Sequence, residues 1–176
     1  MNNWNRIFKP IVVLCVICMV ITLALAATNG VTKPIIDEAT RVAQENARRE
    51  LLPDATGFTQ VEGVSVDGVS AIYASENNVG YVFTSSAKGY GGDVVVMTAI
   101  VDGTIKQIKV TEQAETKGIG SKVAGDASYW ARYQGVSAEQ EIELGNQVDA
   151  LSGATISSRA LKNAVNAAIA AYQAIS

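Results

Sequence analysis

The chain has 176 residues, 48% of them hydrophobic and 18% charged, which leaves room for one membrane segment and one ordinary domain with a real core. It contains no histidine, so Ser-His-Asp and Cys-His nucleophile systems, a His-ligated zinc and a histidine general base are all excluded. From Lys33 onward 12 Lys and Arg face 17 Asp and Glu, a balance that argues against nucleic acid or anionic lipid as the main partner.

No charged residue falls between Lys9 and Lys33, and Ile11 to Ala27 is almost wholly apolar. About 18 helical residues at roughly 1.5 Å each span most of a roughly 30 Å hydrocarbon layer. A transmembrane anchor is therefore expected at residues 11–28. Arg6 and Lys9 precede it, which makes 1–10 a cytoplasmic N-terminus and places everything after Thr28 outside the cell. A cleaved signal peptide is the competing reading, because Ala24-Leu25-Ala26 has the small-x-small pattern; the apolar run is longer than the usual h-region of about 7–15 residues. Cys15 and Cys18 lie inside this segment. Without a second pair or a histidine they read as apolar packing residues rather than as a metal or redox site.

Residues 29–57 form the expected linker and stalk. A polar break at Thr28–Thr32 leads into Pro34–Leu52, where Ile35, Ala39, Val42, Ala43, Ala47 and Leu51 recur at helical spacing. Thr32 can cap this helix, Pro34 suits a first turn, and Pro53 stops it. The domain proper is placed at 58–176. Short β-rich runs at Gln60–Val66, Val69–Ala74 and Val79–Thr84 are separated by Gly- or Asn-containing breaks. Asp102-Gly103 between Gly92–Val101 and Thr104–Thr111 predicts a tight hairpin.

Gln113–Gln134 reads as an ordered loop with a short helix near Ser128–Tyr133, and Ser137–Glu143 as a helical turn capped by Ser137 with Gln140 in the capping-box position. Leu161, Val165, Ala168, Ile169 and Tyr172 form one face of a last helix over about Ser157–Ala174. The expected fold is α+β: an N-terminal transmembrane helix, then an antiparallel sheet flanked by helices.

Asp149-Ala150-Leu151-Ser152-Gly153-Ala154-Thr155 delivers the chain into that last helix. Small residues at Gly153 and Ala154 let a phosphate approach the backbone, and the free N–H groups and positive dipole end of the helix favour it. Arg159 and Lys162, within two turns, can add charge assistance. The same residues also suit a plain helix N-cap, since Ser, Thr and Asp are what helix starts prefer.

Asp-x-x-Ser-Gly-Ala-Thr followed by an Ala-rich helix resembles the acceptor motif of the FMN-binding domains in Rnf and sodium-translocating quinone reductase complexes. Lys88-Gly89-Tyr90-Gly91-Gly92 is similar to that family's glycine-rich loop. Gln113-Ala114-Glu115-Thr116-Lys117-Gly118-Ile119-Gly120 is similar to its His-x-Glu-Thr-Pro-Gly-Leu-Gly loop. The departures are Gln113, Lys117 and Ile119.

The resemblance implies FMN joined covalently through a phosphodiester to Thr155 by a separate flavin transferase that uses FAD and a divalent metal. It further implies cofactor-binding roles for Asp149, Ser152, Gly153, Ala154, Glu115, Thr116, Gly118, Gly120, Gly89 and Tyr90, with Lys162 added from its place on the last helix. The protein would be a redox subunit of a translocase, with other membrane subunits as partners, no metal site and no independent catalysis. The short exposed region resembles the G-subunit branch of the Rnf complexes, which implies electron flow between ferredoxin and NAD. Alternatives are a sodium-translocating quinone reductase subunit, a membrane-bound flavin sensor, or a pilin-like surface protein. Against the last stand the missing Gly-Phe cleavage site and the expected helix break near Asn29-Gly30 and Pro34.

Overall fold

The computed structural model describes residues 8–175, so Arg6 and most of the expected cytoplasmic N-terminus lie outside the described residues. The chain divides into two compact units, residues 1–43 and residues 44–176.

In the first unit the described residues are helical. Helix α1 runs over Lys9–Leu51 with Pro34 inside it, and it is long and apolar enough to cross a membrane by length and composition. Its apolar side chains from Ile11 to Leu25 are exposed. The hydroxyls of Thr22 and Thr28 donate to the carbonyls of Cys18 and Ala24, so neither presents a bare polar group to an apolar surrounding.

The expected break at Thr28–Thr32 is not there. Asn29, Gly30 and Thr32 are weak helix formers but not breakers, and Pro34 removes only the one donor that would have met the carbonyl of Gly30. That local cost, about 3 kcal/mol for an interior proline, falls between two strongly helical stretches. The continuity of α1 also removes the helix break as a contrast with pilin-like proteins; the missing Gly-Phe cleavage site remains.

The second unit is built on a five-stranded antiparallel meander in the order β1-β2-β3-β4-β5. The strands are β1 Phe58–Gln60, β2 Val69–Ser75, β3 Tyr81–Lys88, β4 Asp93–Val101 and β5 Thr104–Glu112. Asp102 and Gly103, with φ of 47° and 71°, make the tight turn expected between β4 and β5. The first predicted strand, Gln60–Val66, shrinks to Phe58–Gln60. After the bond from Val61 N to Ile72 O the chain leaves the ladder, and Val61, Val64 and Val66 pack against the core instead.

Alternation along the strands divides the core in two. Phe83, Val94, Val96, Ile100, Ile105, Ile108 and Val110 face helix α4, Thr155–Ile175, which lays Leu161, Ala164, Val165, Ala168 and Ile169 against them. A register shift between Ala99 and Ile100 keeps both Ile105 and Ile108 on this face although they are three residues apart. Val82, Met97 and Ala99 point the other way and are covered by Ala47, Leu51 and Leu52 at the end of α1. Arg48 lies over the Tyr73 ring at 4.0 Å, and Glu50 pairs with Lys109.

Between β5 and α4 come α2 Ser121–Ala124, α3 Ala127–Trp130 and a 3-10 turn at Ala131–Tyr133. The predicted helical turn at Ser137–Glu143 does not form. Ser137 bridges to Thr104, Ala138 N donates to Gly103 O, and Ile142 exchanges two bonds with the Asn166 side chain, so the segment's backbone groups are spent on the sheet edge and on α4.

Candidate functional site

One end of α4 and two loops enclose a cavity of about 520 Å³, within the range of small-molecule sites. It is lined by Tyr90 from the β3–β4 turn, Glu115, Thr116, Ile119 and Gly120 from the segment after β5, and Gly153 to Ser157 at the start of α4.

The acceptor segment is held from behind. Tyr129 donates its hydroxyl to the carbonyl of Asp149 at 2.9 Å, and Leu151 N donates to Ser158 Oγ at 3.1 Å. Ala154 N returns to Leu151 O, and Ala154 O accepts the first helical bond from Ser158 N. Gly153, with φ of 82°, takes the left-handed turn that lets this small loop enter α4. Thr155 is the first residue of the helix and is exposed.

Glu115 is the charged member of the lining, and it is only 7% exposed. Its Oε1 accepts from Tyr90 N at 2.8 Å and Gly91 N at 3.3 Å, and its Oε2 accepts from Ser157 Oγ at 2.5 Å. One carboxylate thus ties together the glycine-rich turn, the loop after β5 and the first turn of α4. The glycines around it are needed for room: a Cβ on Gly89 would meet Oε1, and one on Gly120 would meet Oε2 and Ser157 Oγ, all closer than 3.0 Å. Gln113, where the resembled motif has histidine, accepts from Glu115 N through its side-chain oxygen at 2.7 Å and so shapes the same loop.

Of the residues singled out in the sequence, Thr155, Gly153, Ala154, Glu115, Thr116, Gly120 and Tyr90 meet at the cavity. Gly89 supports it from behind through Glu115. Asp149, Ser152, Gly118 and Lys162 are not among its lining residues, and neither is Arg159. Gly118 donates its N–H to Ser121 Oγ and turns the chain into α2. Three lining residues had no binding role assigned from the sequence: Ile119, Ile156 and Ser157. Ile119 and Ile156 are half-exposed apolar side chains at the rim, and Tyr90 beside them is 72% exposed. The signal for Ser157 was present, as the hydroxyl residue that follows Thr155 at a one-residue gap.

Bonds from the hydroxyl and the backbone N–H of Ser128 hold the Asp126 carboxyl below its ordinary value, while burial, then Tyr129, pushes the Tyr133 phenol up. Among the described residues there is no cluster of three or more His, Cys, Asp or Glu able to hold a metal ion.

Residues 89–170, from the glycine-rich turn to the middle of α4, match the FMN-binding domain family. Over 99% of its length the chain is 34% identical to the G subunit of the Na(+)-translocating ferredoxin:NAD(+) oxidoreductase complex of Acetobacterium woodii, covering 95% of that protein. It is 30% identical to the G subunit of the ion-translocating oxidoreductase complex of Methanosarcina acetivorans, over 96% of each chain. A crystal structure of Shewanella oneidensis NqrC aligns with a TM-score of 0.49 at 20% identity, over 66% of each chain. Near-complete, end-to-end similarity of this kind, with the FMN-binding domain placed over the cavity just described, shows that the chain belongs to the G-subunit family of ion-translocating oxidoreductase complexes.

Proposed function

We propose that this chain is an electron-transfer subunit of a membrane-bound ferredoxin:NAD oxidoreductase complex of the Rnf type, carrying FMN joined through a phosphodiester to Thr155. The relatives' names support the complex, and the family match supports the cofactor. The attachment point rests on one observation. Of the four hydroxyls between Ser152 and Ser158, Thr155 alone is both exposed and in the cavity lining; Ser157 and Ser158 are buried and already bonded, and Ser152 lies off the cavity.

The residues fit such a group. Thr155 stands at a helix N-terminus, where free N–H groups favour a phosphate, and Ile119, Ile156 and Tyr90 offer apolar surface to a flat ring. The flavin transferase that the resemblance implies would supply the base for the hydroxyl during attachment, which fits a chain without histidine. In that step Thr155 Oγ1 bonds to the FMN phosphorus of FAD, the pyrophosphate bond breaks, AMP leaves, and the transferase's base takes the hydroxyl proton. Bound FMN would supply the redox chemistry through its isoalloxazine ring. The chain's residues position it, and the tether keeps it from being lost outside the cell. Arg6 and Lys9 before the apolar segment support an extracytoplasmic FMN-binding domain, with the other subunits of the complex as its redox partners.

The test is the intact mass of protein made together with its flavin transferase, followed by peptide mapping. The expected result is the sequence mass plus one FMN less one water, with the addition on Thr155. An unmodified mass despite an active transferase would sink the covalent claim.

A further inference from the structure

We infer that Glu115 is a tuning residue: its buried carboxylate sets a negative charge in the wall of the flavin cavity and holds the flavin's midpoint potential down. This rests on reading the cavity as the flavin site.

Tyr90 N and Gly91 N can only donate, and Ser157 Oγ donates to the other carboxylate oxygen, so an ionised Glu115, an acceptor only, satisfies the whole network. No Lys or Arg forms an ion pair with it among the described residues. The charge is shared with neutral dipoles and is not cancelled by a cation.

It is also close to whatever fills the cavity. Glu115 is itself one of the residues that line the space. At 7% exposure the carboxylate has little water of its own to screen it. Reduction adds electrons to the ring, and a fixed negative charge in the wall disfavours them. The three donors are committed to Glu115 rather than free to reach a ligand, so Glu115 acts through its field and through the shape it gives the wall.

Charge and shape separate cleanly. In Glu115→Gln the amide oxygen can accept from Tyr90 N and Gly91 N, and the amide NH₂ can donate to Ser157 Oγ, so the shape survives and the charge is lost. Glu115→Asp keeps the charge and shortens the reach. Full-length protein carrying each change is made with its flavin transferase. Loading is read by intact mass, folding by thermal unfolding, and the midpoint potential by spectroelectrochemical titration.

Glu115→Gln is expected to favour the reduced form by about tenfold, about 59 mV for one electron, while Glu115→Asp keeps the wild-type potential even where it unfolds at lower temperature. An unchanged potential in loaded Glu115→Gln, or an equal rise in Glu115→Asp, overturns the inference. If Glu115→Gln does not fold, Glu115→Asp alone decides, since a raised potential there refutes a role for charge. Wild-type protein that carries no flavin would instead overturn the reading of the cavity itself.

Discussion

Ser157 donates its hydroxyl to Glu115 across 2.5 Å, closing a contact between residues 42 apart in sequence at the back of the cavity. Two positions earlier, Thr155 leaves the same helical turn toward solvent. Successive helical residues are about 100° apart, so the two side chains leave the helix in different directions although both residues line the cavity. That geometry divides two similar hydroxyls into one that holds the fold and one that is free to react.

The division predicts different losses. Ser157→Ala removes a buried hydrogen bond to a charged group and is expected to cost about 1.5–3 kcal/mol in a urea denaturation series. Thr155→Ala touches an exposed side chain and should stay within about 0.5 kcal/mol of wild type, yet lose all flavin that survives denaturation. Flavin still bound to denatured Thr155→Ala would move the attachment elsewhere.

Gly120 gives a second test of the same corner. Its added Cβ would strike Glu115 Oε2, Ser157 Oγ and Glu115 Cβ, and none can retreat without breaking the clasp. Gly120→Ala is therefore expected to destabilise by about 1–3 kcal/mol, as overpacking does, and to lower flavin loading together with stability. A variant as stable and as fully loaded as wild type would mean that the three segments are not locked together through Glu115.

Much of this corner was legible in the sequence, for reasons that differ by residue. The hairpin at Asp102-Gly103 and the face of α4 around Leu161 and Val165 follow from local turn chemistry and helical period. Glu115 was recognisable as a site residue only by motif, because nothing local says that an acid after β5 will be buried against Tyr90 and Ser157. The helix break near Gly30 failed because weak helix formers were read as a stop. Ser137–Glu143 failed because a capping pattern cannot register that Asn166, 24 residues beyond Ile142, takes both of that residue's backbone groups. Ile119 read only as a departure from the motif and Ile156 as an ordinary helix residue, because a single apolar side chain gains meaning only from the cavity it lines.

Acid should weaken the turn at α3 in a defined direction. Asp126 accepts from Ser128 N at 2.9 Å and Ser128 Oγ at 2.7 Å, and these bonds hold its carboxyl below the ordinary 3.8. A carboxyl lowered on folding adds stability above its unfolded value and loses it as pH falls through the folded one. The stability gap between wild type and Asp126→Ala is therefore expected to be full at neutral pH and to close below pH 3.8. A gap that persists at still lower pH would mean that Asp126 does not act through its charge.

Thr98 and Asn166 are both buried polar residues on the α4 side of the sheet, and their substitutions should have opposite signs. Among the described residues Thr98 Oγ1 has no hydrogen-bond partner, lying between Phe83 and Ile108 in the ladder. Replacing it with the isosteric Val removes an unmet polar group from an apolar layer and is expected to stabilise by about 1 kcal/mol. Asn166 instead satisfies both backbone groups of Ile142, whose side chain is fully buried beside it. Asn166→Leu strands an N–H and a carbonyl at once, for an expected loss of about 2–5 kcal/mol. Chemical denaturation of the two variants against wild type decides the matter, and equal signs would show that burial alone, rather than pairing, sets the energetics of this layer.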